Sequence, residues 1–224
     1  MRILAIDTAL EACSAALLDG DTVVAEETQE MARGHAEALM PMLARLRENA
    51  AFYFNVIDRI AVTVGPGSFT GLRVGISAAR GIALAAGKPA IGLSTLSALA
   101  APHVAARTGD TIIAAIDARN EQVYFQVFAA NGTTVVTPRL DRVRAAVRAV
   151  PVGPTIITGS AAALVASHWP SGSPAPHVEE HAAPDIGWVA RLGAAAQDEG
   201  TAPKPLYLRR PDARPQEAGR LPRR

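Results

Sequence analysis

The chain has 224 residues and a formal net charge of +1; 49% of its residues are apolar and 4% aromatic. This supports a packed core of small aliphatic side chains in one large or two small domains, and the charge is too balanced for a surface given over to nucleic acid or anionic lipid. The single cysteine, Cys13, excludes an intrachain disulfide and a cysteine-based zinc cluster, as expected of a reducing compartment.

The residues at 2–8 form an apolar run closed by Asp7. That is the pattern of a central strand buried on both faces rather than of a signal peptide. With no bilayer-length apolar stretch either, a cytoplasmic chain is expected. Residues 14–18 read as a second strand, Asp19-Gly20-Asp21 as a hairpin turn and 22–28 as a third strand. A helix over 34–49 places His35, Leu39, Leu43 and Leu46 on one face, and Pro41 is expected to kink it or mark its effective start. The run at 60–64 reads as a short buried strand. It leads into Gly65-Pro66-Gly67-Ser68-Phe69-Thr70-Gly71-Leu72-Arg73-Val74-Gly75 and an Ala-rich helix over 72–86, which Gly87 and Pro89 end.

Gly65 and Gly67 permit a tight turn, and Ser68 and Thr70 can cap the first amides of the helix. Such a helix start can hold a phosphate or carboxylate, which makes Gly65, Gly67, Ser68 and Thr70 candidate anion contacts. The plain alternative is a turn that packs a helix closely on a sheet. The stretch is neither a P-loop, for it has no lysine, nor the dinucleotide fingerprint, for Gly67 and Gly71 are four residues apart. A short strand at 90–93 and a helix to about 106, capped by Ser94 or Thr95, complete this half.

From Thr111 the pattern starts again. Ile113-Ala114-Ala115-Ile116-Asp117 echoes Ile3-Leu4-Ala5-Ile6-Asp7 at an offset of 110 residues, which also pairs Glu11 with Glu121. A strand at 123–128, a turn at Asn131-Gly132, a strand at 134–136, a helix at 139–150, a strand at 155–158 and a short helix at 161–168 follow. The order β-β-β-α-β-α thus occurs twice, and an internal repeat constrains a fold more than any single element does. Residues 169–176 read as a surface loop and 185–198 as a last helix. The expected units are 1–108, 109–200 (whose last helix can pack back on the first) and a Pro- and Arg-rich tail, 201–224. In that tail Leu206-Tyr207-Leu208 can dock on the body, with disorder after about 210.

Two such units in tandem resemble the actin-like ATPase superfamily (ASKHA, ribonuclease H-like). The expected fold class is therefore α/β with a duplicated actin-like architecture. In that superfamily each half opens with a hairpin whose acidic residue faces the nucleotide cleft, the positions held here by Asp7 and Asp117. More specific are Ile3-Leu4-Ala5-Ile6-Asp7-Thr8, Gly34-His35-Ala36-Glu37 with Leu39 and Pro41, the stretch Gly65 to Gly75, and Asp117-Ala118-Arg119 with Val123-Tyr124. Together with Pro205-Leu206-Tyr207-Leu208-Arg209, these resemble the TsaB (YeaZ) family over most of residues 1–210.

The resemblance implies a bacterial, non-catalytic subunit of the machinery that makes threonylcarbamoyladenosine beside the tRNA anticodon. It further implies binding to the catalytic paralogue TsaD, a complex joined by the small ATPase TsaE, a homodimer when alone, and only indirect contact with tRNA. It implies no cofactor of the chain's own, with ATP and a metal ion on partner subunits, and no membrane attachment. The catalytic paralogue carries a His-x-x-x-His metal pair on its first helix. Here His35 is followed four residues on by Leu39, and one imidazole does not make a metal site. The candidate partner-binding residues are His35, Leu39, Leu43 and Leu46 on the first helix and Gly71, Leu72, Gly75 and Ala79 on the second, where small residues at one-turn spacing admit another helix. The alternative is that both faces pack internally on the sheet.

Two rival functions are set against this. One is an active ATPase or kinase using Asp7, Asp117 and the glycine turn, although Thr8-Ala9-Leu10-Glu11-Ala12 lacks the glycine of a phosphate-binding hairpin. The other is a zinc glycoprotease, because His177-Val178-Glu179-Glu180-His181 matches His-x-x-Glu-His. That motif needs a helix to bring both imidazoles to one face, and Pro174, Pro176 and Pro184 leave little room for one. No metal site is predicted. From Lys204 on there are seven basic and two acidic residues, a net of +5 that leaves −4 on the rest. This tail could touch tRNA phosphates, but beyond Tyr207 it has no aromatic residue for base stacking; a solvated tail is the plain alternative.

Overall fold

The computed structural model describes residues 1–50 and 56–209. The tail expected to be disordered beyond 210, with most of its arginines, lies outside them. Two five-stranded mixed sheets share one plan. In the first, β1 (Arg2–Asp7) is central, antiparallel to β2 (Ala12–Asp19) and parallel to β4 (Arg59–Gly65). β3 (Thr22–Glu30) and β5 (Ala90–Ser94) form the edges, giving the order β3-β2-β1-β4-β5. In the second sheet β6 (Thr111–Asp117) takes the place of β1. It lies between β7 (Gln122–Phe128) and β9 (Thr155–Thr158), with β8 (Thr134–Arg142) and β10 (His177–Glu179) at the edges. The repeat read at an offset of 110 residues is thus a repeat of sheet topology, and the fold is the duplicated actin-like α/β architecture.

The central strands are continuously apolar because both of their faces are covered. Leu4 and Ile6 point into the layer made by α1 (His35–Asn49) and α2 (Phe69–Ala86), while Ile3 and Ala5 point to the opposite layer. That opposite layer contains α6 (Ile186–Ala195), whose Ile186, Val189 and Ala190 pack on Ile3, Ala5, Ala16 and Ala61 of the first sheet. Arg59 fastens the end of α6, donating to the carbonyls of Gly193 at 3.2 Å and Ala196 at 2.8 Å. α3 (Thr95–Ala106) lies between the sheets, with Ala98 on the first core and Leu96, Leu99 and Ala100 on the second. A helix apolar on all sides is what that position demands. The outer face of the second sheet is covered by α4 (Val143–Arg148) and α5 (Ala162–Ser167).

Several expected elements differ. α1 runs unbroken through Pro41, whose ring is on the solvent side, where the Glu37 carbonyl left without an amide donor can be hydrated. A helix was expected from 139, but β8 continues to Arg142, pairing with Gln122, so α4 is short. Thr137 and Pro138 together oppose Gln126 in a bulge on this edge strand, the kind of place where a strand tolerates proline. The stretch at 177–179, where the flanking prolines left little room for a helix, is an edge strand parallel to β9.

Leu39, Leu43 and Leu46 are 1%, 1% and 2% exposed and belong to the core of the first lobe. Leu43→Ala should therefore lower the stability of the isolated chain by about 2–4 kcal/mol, read from urea unfolding at several protein concentrations. A smaller, concentration-dependent loss would instead place Leu43 at an interface.

Candidate functional site: the ends of β1 and β6 and the outer face of α1 and α2

The glycine turn closes over the β1–β2 hairpin. Ser68 N–H donates to the carbonyl of Ala9 at 2.7 Å, and Thr8 Oγ1 donates to the carbonyl of Gly71 at 2.7 Å. Ser68 Oγ caps α2 by accepting from Gly71 N–H at 3.3 Å. A Cβ at Gly67 would overlap Ala9 O, one at Gly71 would overlap Thr8 O, and one at Gly75 would overlap Thr8 Oγ1. The glycines are there so that the start of α2 can lie backbone to backbone on the hairpin. Two amides of this turn, those of Ser68 and Gly71, are thereby bonded within the chain rather than offered to an anion. Gly65, at φ 115°, also serves a close approach: the Leu206 carbonyl would lie 2.9 Å from a Cβ there.

The two repeat carboxylates have different surroundings. Asp7 is fully buried; its Oδ1 accepts from Ala9 N–H at 3.0 Å and from Thr63 Oγ1, while Oδ2 is buried without a hydrogen-bond partner. Burial pushes its carboxyl above the usual aspartate range, against the opposing pull of Thr63 and Ala9. Asp117 is exposed and accepts from Arg119 N–H at 2.7 Å, while its own N–H donates to Ser160 Oγ. A pair of carboxylates facing one open cleft, as the ATPase reading needs, is not what these residues form.

The chain's last described residues bridge the lobes at these strand ends. Leu206 N–H donates to Val64 O at 2.7 Å, and the Tyr207 ring stacks on Phe69 with centroids 5.4 Å apart. Arg73 lies 3.8 Å over Phe69 and donates to the Tyr207 hydroxyl at 3.2 Å. Arg209 then reaches the second lobe, donating to Ala118 O at 3.0 Å and Gln122 Oε1 at 2.7 Å. It fastens the β6–β7 turn, where Arg119, Asn120 and Glu121 all have positive φ.

The partner-binding residues named from the sequence also need correction. His35 is buried with Nε2 bonded to Leu10 O at 3.0 Å; Leu39, Leu43 and Leu46 are core; Gly71, Leu72, Gly75 and Ala79 all face inward. Turning the helical stripe over gives the outer face of the same helices. It consists of Glu37, Met40, Pro41 and Ala44 on α1 and Phe69, Arg73, Ser77, Arg80 and Leu84 on α2. Met40 is 57% exposed, Phe69 48% and Leu84 86%. Beside Leu84 runs a groove of about 680 Å³, bounded by Arg80, Lys88 and Asp198.

His177 and Glu179 sit on β10 rather than on a helix, which removes the geometric basis of the zinc-protease motif. The sequence reading missed His103 on α3, which faces Glu179 across the lobe contact. The signal for that pairing was the two-residue spacing of His177, Glu179 and His181, the period of a strand.

Comparison with known proteins agrees with the topology. The family model TsaD, described as tRNA N6-adenosine threonylcarbamoyltransferase, matches residues 22–169. The TsaB protein of Escherichia coli, named for tRNA threonylcarbamoyladenosine biosynthesis, is 43% identical over 125 residues, 56% of this chain and 54% of that protein. The solved structure of YeaZ from Pseudomonas aeruginosa superposes with a TM-score of 0.77 at 27% identity, covering 92% of this chain and 99% of that one. The chain belongs to the TsaB (YeaZ) family. Its match to the named TsaB proteins spans about half of their length. An uncharacterized Mycobacterium tuberculosis protein matches the TsaB-family chain more fully, 34% identical over 218 residues, 95% of this chain and 94% of that protein. No helix among the described residues is long and apolar enough to cross a membrane.

Two outcomes follow from this geometry. Gly71→Ala should lower stability by about 1–3 kcal/mol, because the added methyl meets a fixed carbonyl; unfolding at the wild-type urea midpoint would contradict the close approach. For Asp7, the folded state keeps its proton at pH values where the unfolded chain has lost it. The stability that this contributes is therefore present below about pH 3.8 and lost as pH rises through the folded value. The stability of Asp7→Asn relative to wild type should accordingly increase from pH 3.5 to pH 7. A difference that stays flat would mean that Asp7 ionises as freely as in water.

Proposed function

We propose that this chain is the non-catalytic subunit of the machinery that makes threonylcarbamoyladenosine in tRNA, and that it acts by binding the catalytic paralogue TsaD. The observation that carries the reading is the state of the strand ends. The hairpin, the glycine turn and the 203–209 segment bond to one another where a nucleotide of an actin-like enzyme would need free donors. Asp7, the residue that such an enzyme would aim at the nucleotide, is fully buried. The names of the TsaB relatives supply the pathway.

The outer face of α1 and α2 is the docking surface in this reading. Met40, Phe69 and Leu84 provide apolar anchors, with Arg73 and Arg80 between them. The same face serves the homodimer when the partner is absent, so the two associations compete. TsaE joins through the assembled complex, and ATP and the catalytic metal ion belong to the partners. The chain has no membrane role and works in the cytoplasm, with tRNA held mainly by the complex.

The test uses the purified chain with TsaD from the same organism, in a pull-down and a tRNA threonylcarbamoylation assay reconstituted with TsaE and the threonylcarbamoyl-AMP synthase. Met40→Glu combined with Leu84→Glu should weaken association at least about tenfold and lower modification in parallel, while the thermal melt stays unchanged. Undiminished association of the double variant would remove the docking face from α1 and α2. Steady ATP hydrolysis by the chain alone would overturn the non-catalytic reading.

A further inference from the structure

Three imidazoles surround one carboxylate where α3 meets the edge of the second sheet. On β10, His177 and Glu179 share a face because strand side chains alternate; their register partners are Ile156 and Thr158 of β9. Ile156 lies in the core that α3 covers, so this is the face turned toward α3. His181, two residues beyond Glu179, reaches the same carboxylate. His181 Nε2 stands 3.4 Å from Glu179 Oε2, and His177 Nε2 stands 2.9 Å from Oε1. From the last turn of α3, His103 Nε2 approaches Oε2 to 3.8 Å. That distance is too long for a hydrogen bond. His103 is only 9% exposed, and its Nε2 is buried with no partner among the described residues. A buried polar nitrogen aimed at a carboxylate yet bonded to nothing requires a reason.

We propose that His103, Glu179 and His181 form a site for a divalent transition metal of the zinc class, one that ties α3 to the edge strand β10. One ligand atom from each of the three lies within 4.8 Å of the others. Ligands held at about 2.0–2.1 Å in a tetrahedron stand roughly 3.3–3.4 Å apart; the His181–Glu179 pair at 3.4 Å already has that spacing, and His103, 3.8 Å from Glu179 and within 4.8 Å of the His181 ligand atom, reaches it by side-chain shifts. Two imidazoles and a carboxylate are a donor set suited to zinc and neighbouring metals rather than to calcium or magnesium. His177 holds the other carboxylate oxygen and orients it. The fourth position opens to solvent beside the half-exposed His181 and takes a water. The role is that of a staple: β10 has only three residues, and the metal joins it to the helix that separates the two sheets.

The experiment titrates the metal-free, full-length chain with zinc against a chromophoric chelator, and with cobalt for its visible absorption. Saturable binding of one ion per chain is expected, with intense tetrahedral cobalt bands and a raised melting temperature. His103→Gln and His181→Gln should each weaken binding by roughly tenfold or more, while Glu180→Gln leaves it unchanged. Circular dichroism checks that each variant is folded. If His103→Gln does not fold, the exposed His181→Gln decides the matter. Absence of saturable binding overturns the proposal. So does binding unchanged by His103→Gln or His181→Gln, which would assign the ion to histidines elsewhere on the surface.

Discussion

The structure depends on one close approach of backbone to backbone. The Thr8–Ala9 turn at the end of the central strand lies directly beneath the first turn of α2, and three glycines, at 67, 71 and 75, leave room for it. Any side chain there would push the helix off the hairpin. With the gap closed, Thr8 and Ser68 satisfy polar groups that neither element could satisfy alone. The same closure leaves the Asp7 carboxylate buried and the Ser68 and Gly71 amides bonded within the chain. One steric condition thus shapes the lobe and makes this corner a structural joint.

The second lobe repeats the topology with a different joint: a Cβ at Gly159 would overlap the Ala115 carbonyl, and Ala161 N–H donates to that carbonyl at 3.2 Å. Asp117 remains in water, and the turn after it keeps three consecutive non-glycine residues at positive φ. Arg209 anchors that turn from outside. The duplicated halves therefore share strand order but not chemistry, and the 203–209 segment lies across the difference. An apolar outer surface survives on α1 and α2, where Met40 and Leu84 have no counterpart to cover them among the described residues.

Much of the fold was legible in the sequence because it is periodic. The echo of residues 3–7 at 113–117 sets two central strands, and the apolar run in each says that both faces are covered. What covers them is a matter of distant residues, and there the reading failed. Leu39, Leu43 and Leu46 form a stripe whether they meet a partner or their own sheet; only the neighbouring strands decide. Gly71 and Gly75 signal close packing but not that the neighbour is Thr8. The β8–α4 boundary was misplaced because pairing with β7 outweighs local helical preference. His103 and Glu179 are remote in sequence and meet only because α3 lies between the two sheets.

The position of α6 also bears on how the molecule is made. The inner face of the first sheet, carrying Ile3, Ala5 and Ala16, stays without that part of its cover until residues 186–195 are available. During synthesis β1 through β5 would leave the ribosome long before the helix that completes their core. The first lobe is thus assembled early but finished late, with an apolar sheet face open in the interval. Contacts of such long sequence separation also slow folding. Early chain that waits for late chain gives chaperones a window on the nascent first lobe, and it makes the lobes interdependent in folding although each has its own sheet.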